Sequence, residues 1–152
     1  MITAQALAGE WTVARLITDQ RTGQPGRFDG IARLTPVAGG LDYAEAGQLT
    51  LGTAAPLQAR RGYRWQFDAD GVAVFFSDGR AFHRFQPGVS GPGTDHLCGA
   101  DLYRVRYDWG DWPAWQATWQ VTGPAKDYVM TSRHVRAGRA DAALAVIGGL
   151  GQ

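Results

Sequence analysis

Cysteine is almost missing from this chain: Cys98 stands alone among 152 residues. No internal disulfide can form, which excludes a secreted, bridge-stapled scaffold. Lysine is equally scarce, with Lys126 the only one among fifteen Lys and Arg residues. Net charge is scarce too, because fourteen acidic groups oppose those fifteen bases for a formal +1. That leaves no surplus to attract a polyanion, so nucleic acid is not an expected partner. No segment approaches the roughly eighteen consecutive apolar residues of a membrane span, and no membrane partner is expected. The opening MITAQALAGEW has no basic region followed by an apolar one, so a signal peptide is not expected and the chain reads as cytoplasmic. Finally, no helical period lies between the apolar segments, which argues against a parallel βαβ sheet.

What remains is an ordinary globular composition, 45% hydrophobic and 19% charged, of a length that suits one domain over 1–152. Six Trp, five Tyr and six Phe are a heavy load of rings, the side chains that suit pleated surfaces.

The dominant pattern is alternation with period two between turn residues. Trp11, Val13, Arg15 and Ile17 share one face of a first strand, and Phe28, Gly30, Ala32 and Leu34 share one face of a second. Leu41, Tyr43, Glu45, Gly47 and Leu49 follow on a third, and Ala59, Arg61, Tyr63, Trp65 and Phe67 on a fourth. Asp70-Gly71 and Asp78-Gly79 are hairpin signals flanking a strand from Val72 to Ser77, the second leading into a strand from Ala81 to Phe85. QPGVSGPGTD reads as a flexible loop, and His96 to Tyr107 as one long strand. The aromatic loop DWGDWP, a strand from Trp115 to Val121 and a last strand from Asp127 to Arg136 complete about nine. The tail 136–152 reads as a short helix or as unstructured, because glycines soon interrupt it. A meander of this length must dispose of its edges, and closure does so. The expected fold is all-β: a single antiparallel up-and-down barrel, with a sandwich as the alternative.

Gly9-Glu10-Trp11 at the start of the first strand resembles the Gly-x-Trp signature of lipocalin and calycin barrels. The resemblance implies that Trp11 closes one barrel end beneath a basic side chain from the last strand, Arg133 or Arg136. Three further segments, Tyr43-Ala44-Glu45-Ala46-Gly47, His96 to Tyr103 and Val121 to Tyr128, resemble a family of small bacterial proteins designated only as a domain of unknown function. That second likeness spans nearly the whole chain and implies no chemistry, so the chemistry must come from the residues.

Glu45 shares its face with Leu41, Tyr43 and Leu49, so it points into the barrel if they do. A buried carboxylate needs a partner or stays protonated. Glu45 is therefore either an acid/base or ligand anchor, or one half of a structural pair with Arg61 or another guanidinium. Asp101, among Leu97, Gly99, Tyr103, Val105 and Tyr107, reads as a second inward carboxylate; its alternative is a hydrogen-bonded anchor for a neighbouring loop or arginine. Lys126, in a Gly-Pro turn, is either a base, Schiff-base or anion-binding group, or else a partner of Asp127 or a solvent-exposed turn charge.

His83, His96 and His134 lie on different strands and, with one cysteine, make no zinc set; no metal or cofactor is expected. The only haem candidate is His134. No hydrolase nucleophile motif, P-loop or dinucleotide fingerprint is present.

The expected function is binding of a small, partly apolar molecule inside the barrel, by a monomer or homodimer. Tyr43, Tyr63, Trp65, Phe75, Tyr103 and Trp119 would form the wall, with His83 and Arg133 contributing to binding. Glu45, Asp101, Tyr103 and Lys126 are the candidate catalytic or orienting groups. One alternative is a cofactor-independent isomerase, cyclase or decarboxylase in the same cavity, with Glu45 moving the proton. Another is a protein-interaction module that presents Trp109 and Trp112.

Overall fold

The computed structural model describes residues 2–137. The tail expectation thus falls, from 138 on, outside the described residues. A four-residue helix α1 (Ala4–Leu7) leads into eleven strands: β1 (Gly9–Asp19), β2 (Pro25–Val37), β3 (Gly40–Leu51), β4 (Leu57–Asp68), β5 (Gly71–Phe76), β6 (Ala81–Phe85), β7 (Gly91–Pro92), β8 (His96–Cys98), β9 (Asp101–Asp108), β10 (Trp115–Thr122) and β11 (Asp127–Arg136). They form one antiparallel sheet in the order β6-β5-β4-β3-β2-β1-β11-β10-β9-β7, with β8 paired to β9. The sheet is nearly closed into a barrel, as the alternation predicts.

Closure is made by the chain between β7 and β8. Thr94 N–H donates to Arg84 O of β6 at 3.0 Å, and Gly93 N–H donates to Val105 O of β9 at 2.8 Å. Inside this seam the rings of Phe85 and Tyr107 stack with centroids 4.1 Å apart. The two edges that a flat meander would expose are thereby covered.

Two local features depart from the strict period. The expected single strand from His96 to Tyr107 is a hairpin: Gly99 takes φ +62°, which glycine adopts without a Cβ penalty, and His96 pairs back against Tyr103. The register between β5 and β6 shifts at Val74/Phe75, and this bulge leaves both neighbours Phe82 and His83 buried. Phe75 corrects the expected wall. It lies opposite Arg64, on the outer face, while Phe76 stacks on Phe82 within. The eleven strands exceed the expected nine through the broken hairpin and the two-residue β7 in the glycine-rich loop.

The two barrel ends differ. At one end α1, Trp11, Trp109, Trp112 and Trp115 form a plug. Trp11 Nε1 donates to Leu7 O at 2.9 Å, and its ring packs edge-on against Trp115. Arg136 is the basic partner: its guanidinium lies 4.0 Å from the Trp11 ring centroid and donates to the carbonyls of Ala8 and Ala6. Burial lowers its pKa. Arg133 sits on the opposite face of β11 and pairs with Asp111 at 3.3 Å, so it neither caps Trp11 nor faces the lumen. Two charge-assisted hydrogen bonds and a cation–π contact make Arg136 the clasp of this end. Arg136→Met is expected to lower unfolding free energy by about 2–3 kcal/mol in urea titrations. A loss below about 0.5 kcal/mol would mean the clasp contributes nothing.

Candidate functional site

The interior network begins with small residues. On β2, Gly30 and Ala32 occupy the inward face between Val13 and Gly47, and between Trp11 and Glu45. A Cβ on Gly30 would meet Ala46 O at 2.4 Å, so the strand is held to glycine there. With so little side chain on β2, Arg15 of β1 reaches across it to Glu45 of β3.

The contact is bidentate. Arg15 donates Nη1 to Glu45 Oε1 at 2.7 Å and Nη2 to Oε2 at 3.0 Å. Its remaining Nε donates to Ser132 Oγ of β11 at 2.6 Å. The Tyr43 hydroxyl donates to Glu45 Oε2 at 2.6 Å and lies 2.9 Å from His134 Nε2. The single phenolic proton goes to the carboxylate, which only accepts, so the His134 Nε2 must carry the hydrogen shared with Tyr43. The His134 ring lies flat on Trp115, centroids 3.7 Å apart and planes at 4°. Arg61 of β4 completes the cluster with Nε 3.3 Å from Glu45 Oε1.

Burial pushes the Glu45 carboxyl up, but the hydrogen bond and charge of Arg15, then the charge of Arg61, outweigh it and hold the group below its ordinary value. Glu45 is therefore an ionised, paired carboxylate. Burial, then the charge of Glu45, pushes the Tyr43 phenol well above its usual range. Burial lowers His134 from 6.5 to about 3. His83, whose Nε2 lies 2.7 Å from Tyr107 Oη, falls to about 3 through burial and then the charge of His96. Neither histidine's Nδ1 has a partner among the described residues, and for His134 burial outweighs the opposing pull of the Glu45 charge.

Two openings flank this network. A cavity of about 30 Å³ lies among Tyr43, Trp65, His83, Tyr107, Trp115 and His134, with room for about two water molecules. The rings expected to line a lumen instead fill its middle. The larger space, about 290 Å³, lies at the end away from the plug, between Ile17, Phe28, Leu49, Leu51, Ala59 and Met130. Arg15, Glu45 and Arg61 line both spaces, so the charged cluster is the floor of an apolar-walled mouth.

The expected site residues therefore divide. Glu45, Tyr43, Tyr63, Trp65, His83 and Trp119 meet around the inner cavity. Tyr103 does not line that cavity but packs behind it, against Phe82, His96 and Trp119. Asp101 and Lys126 are on the open rim. Lys126 Nζ lies 3.1 Å from Asp101 Oδ2, with the lysine side chain 45% exposed. The lysine's partner is thus Asp101 rather than Asp127, and its hydrogen bond to Asp101 raises its pKa. Asp101 packs directly over the β10–β11 turn, where a Cβ on Gly123 would collide with its carboxylate, which is the loop-anchor alternative. Arg133 and Phe75 face outward, as above.

Arg15 is the group that sequence reasoning left unassigned. Its signal was the same one that singled out Glu45, an ionisable residue in the inward register of an apolar strand face. Ser132 and Tyr107 gave no such signal. Among the described residues, no three His, Cys, Asp or Glu side chains form a metal-holding group. No helix among them is long and apolar enough to cross a membrane.

Fold and site together define a nearly closed antiparallel β-barrel, plugged at one end and floored at the other by a buried ion cluster. The chain belongs to DUF6314, a family of unknown function, whose sequence profile matches residues 7–136. No curated protein and no solved structure matches the chain.

Proposed function

We propose that this calycin-like barrel holds a small, partly apolar molecule in its open mouth, its polar end against the Arg15–Glu45–Arg61 floor. The observation that carries the reading is the mouth itself: apolar walls from five strands ending on a desolvated charged cluster. Ligand sites commonly combine these features, at volumes of roughly 300–1,000 Å³. The 290 Å³ opening fits the small end of that range, and haem would not fit beside His134, where the space is about 30 Å³.

Holding is better supported than turnover. A general base must have a free lone pair near the substrate and a pKa near the working pH. Both oxygens of Glu45 are engaged by Arg15, with Tyr43 and Arg61 adding to them, and the two buried histidines are held near 3. Holding is also better supported than a Trp-anchored interface. Trp109 is buried against Trp115, and Trp112, though 36% exposed, packs on Trp11 as part of the plug.

Native mass spectrometry of the purified protein tests the reading. The expected result is a small-molecule adduct that is lost on denaturation and absent from Met130→Trp, whose indole would fill the mouth. An adduct retained by a folded Met130→Trp protein, or a bare chain in both samples, would count against it.

A further inference from the structure

We infer that the molecule held in the mouth carries one negative charge, a carboxylate on an apolar body, and that Arg61 reads it; this rests on the ligand-holding reading above. The argument is one of charge and of free donors. The floor contains two guanidiniums and a single carboxylate. Arg15 uses both Nη groups on Glu45 and its Nε on Ser132, so all three of its nitrogens already donate within the floor. Glu45 in turn is matched by Arg15 in a fork-to-fork pair, the geometry that suits a carboxylate best. Arg61 is the cation left over. Its Nε lies 3.3 Å from Glu45 Oε1, and no other carboxylate pairs with it among the described residues.

Its surroundings make it a reader rather than a solvated surface charge. The Arg61 side chain is 33% exposed, and its guanidinium lies 5.3 Å from the Trp119 ring centroid. The Tyr63 phenol is beside it, pushed up by burial while the Arg61 charge opposes that rise. A planar cation positioned by a ring, a phenol and a carboxylate presents its remaining edge with little freedom to lose, which favours carboxylate binding.

The other charges near the mouth do not cancel it. Asp19 lines the mouth and is bound to the backbone N–H groups of Arg21 and Thr22, and its charge is offset by Arg60 on the same wall. Lys126 and Asp101 neutralise each other on the rim. The interior floor therefore keeps one unit of positive charge beneath apolar walls. A monoanion would neutralise it, a neutral ligand would leave it, and a dianion would reverse it.

Tryptophan-fluorescence titrations with octanoate and 1-octanol test the inference, since the two probes share a chain length and differ in charge. The wild-type protein is expected to bind octanoate about tenfold or more tightly than 1-octanol, a single step on the affinity scale. Arg61→Met, checked for folding by circular dichroism, is expected to bind the two alike. Arg61→Lys, which keeps the charge, is expected to retain a preference for octanoate. Equal affinities in the wild type would overturn the charge inference and leave the holding reading intact. Binding of neither probe to folded wild-type protein would remove both.

Discussion

Glu45→Gln is expected to lower the unfolding free energy by about 3–5 kcal/mol at neutral pH, the cost of leaving a buried charge without its partner. The side chains of Arg15 and Glu45 are 6% and 1% exposed, so the stranded guanidinium would keep little contact with bulk water. A glutamine would turn at least one N–H toward a guanidinium that only donates. Tyr43, which gives its proton to the carboxylate, would lose its strongest acceptor as well. Urea titration is the appropriate measurement, with a fall in midpoint at unchanged slope marking a pure stability change. The double replacement Arg15→Met with Glu45→Met removes both charges at similar volume and is expected to recover much of the loss. A single variant within about 1 kcal/mol of wild type would mean that the cluster is far wetter than its packing implies.

Acid should destabilise the barrel well before its carboxylates titrate. His83 and His134 both fall from 6.5 to about 3 on folding. Between those values the unfolded chain binds more protons than the folded one, so stability falls as pH drops. Their contribution is fully present above pH 6.5 and is lost progressively toward pH 3. At about 1.36 kcal/mol per unit, each histidine removes roughly 2 kcal/mol by pH 5, or roughly 4 for the pair. Against a typical total of about 5–15 kcal/mol, that is a large share. Glu45 acts in the same direction but lower: its depressed pKa contributes stability present above the unfolded value of about 4.3 and lost as pH falls through its folded one. Urea midpoints at pH 7.5 and pH 5.0 would measure the effect. Replacing both histidines by glutamine should flatten the dependence over that interval, and a flat dependence in the wild type would show that the imidazoles are not held neutral.

The alternation of apolar and polar residues was enough to read most strands, their faces and the antiparallel meander, because side-chain direction within a strand is a local property with period two. It also placed Glu45 inside, and it offered Arg61 as its partner. Trp11 beneath Arg136 follows from the Gly-x-Trp resemblance and is present in the fold. The misreadings share a different physical origin. Phe75 falls outside because β5 turns Val72, Val74 and Phe76 inward, a phase set by its pairing with β4. The bulge against β6 turns Phe82 inward beside His83. The break at Gly99 was hidden because apolar alternation continues through it on both sides.

The partners of the charged groups were decided elsewhere again. Arg15, Glu45, Ser132 and His134 come from three strands, and the Arg15–Ser132 bond joins positions 117 residues apart. Lys126 passes over adjacent Asp127 for Asp101, across the β9–β10 rim. By itself, then, the amino-acid sequence determined that this chain is an all-β meander with ionisable groups turned inward, since sterics along one strand carry that information. Only the tertiary structure decided which of those groups meet, and that rings fill the middle while space remains at one mouth. Barrel curvature, strand tilt and the small residues on β2 govern distances between strands, and no local pattern encodes those distances.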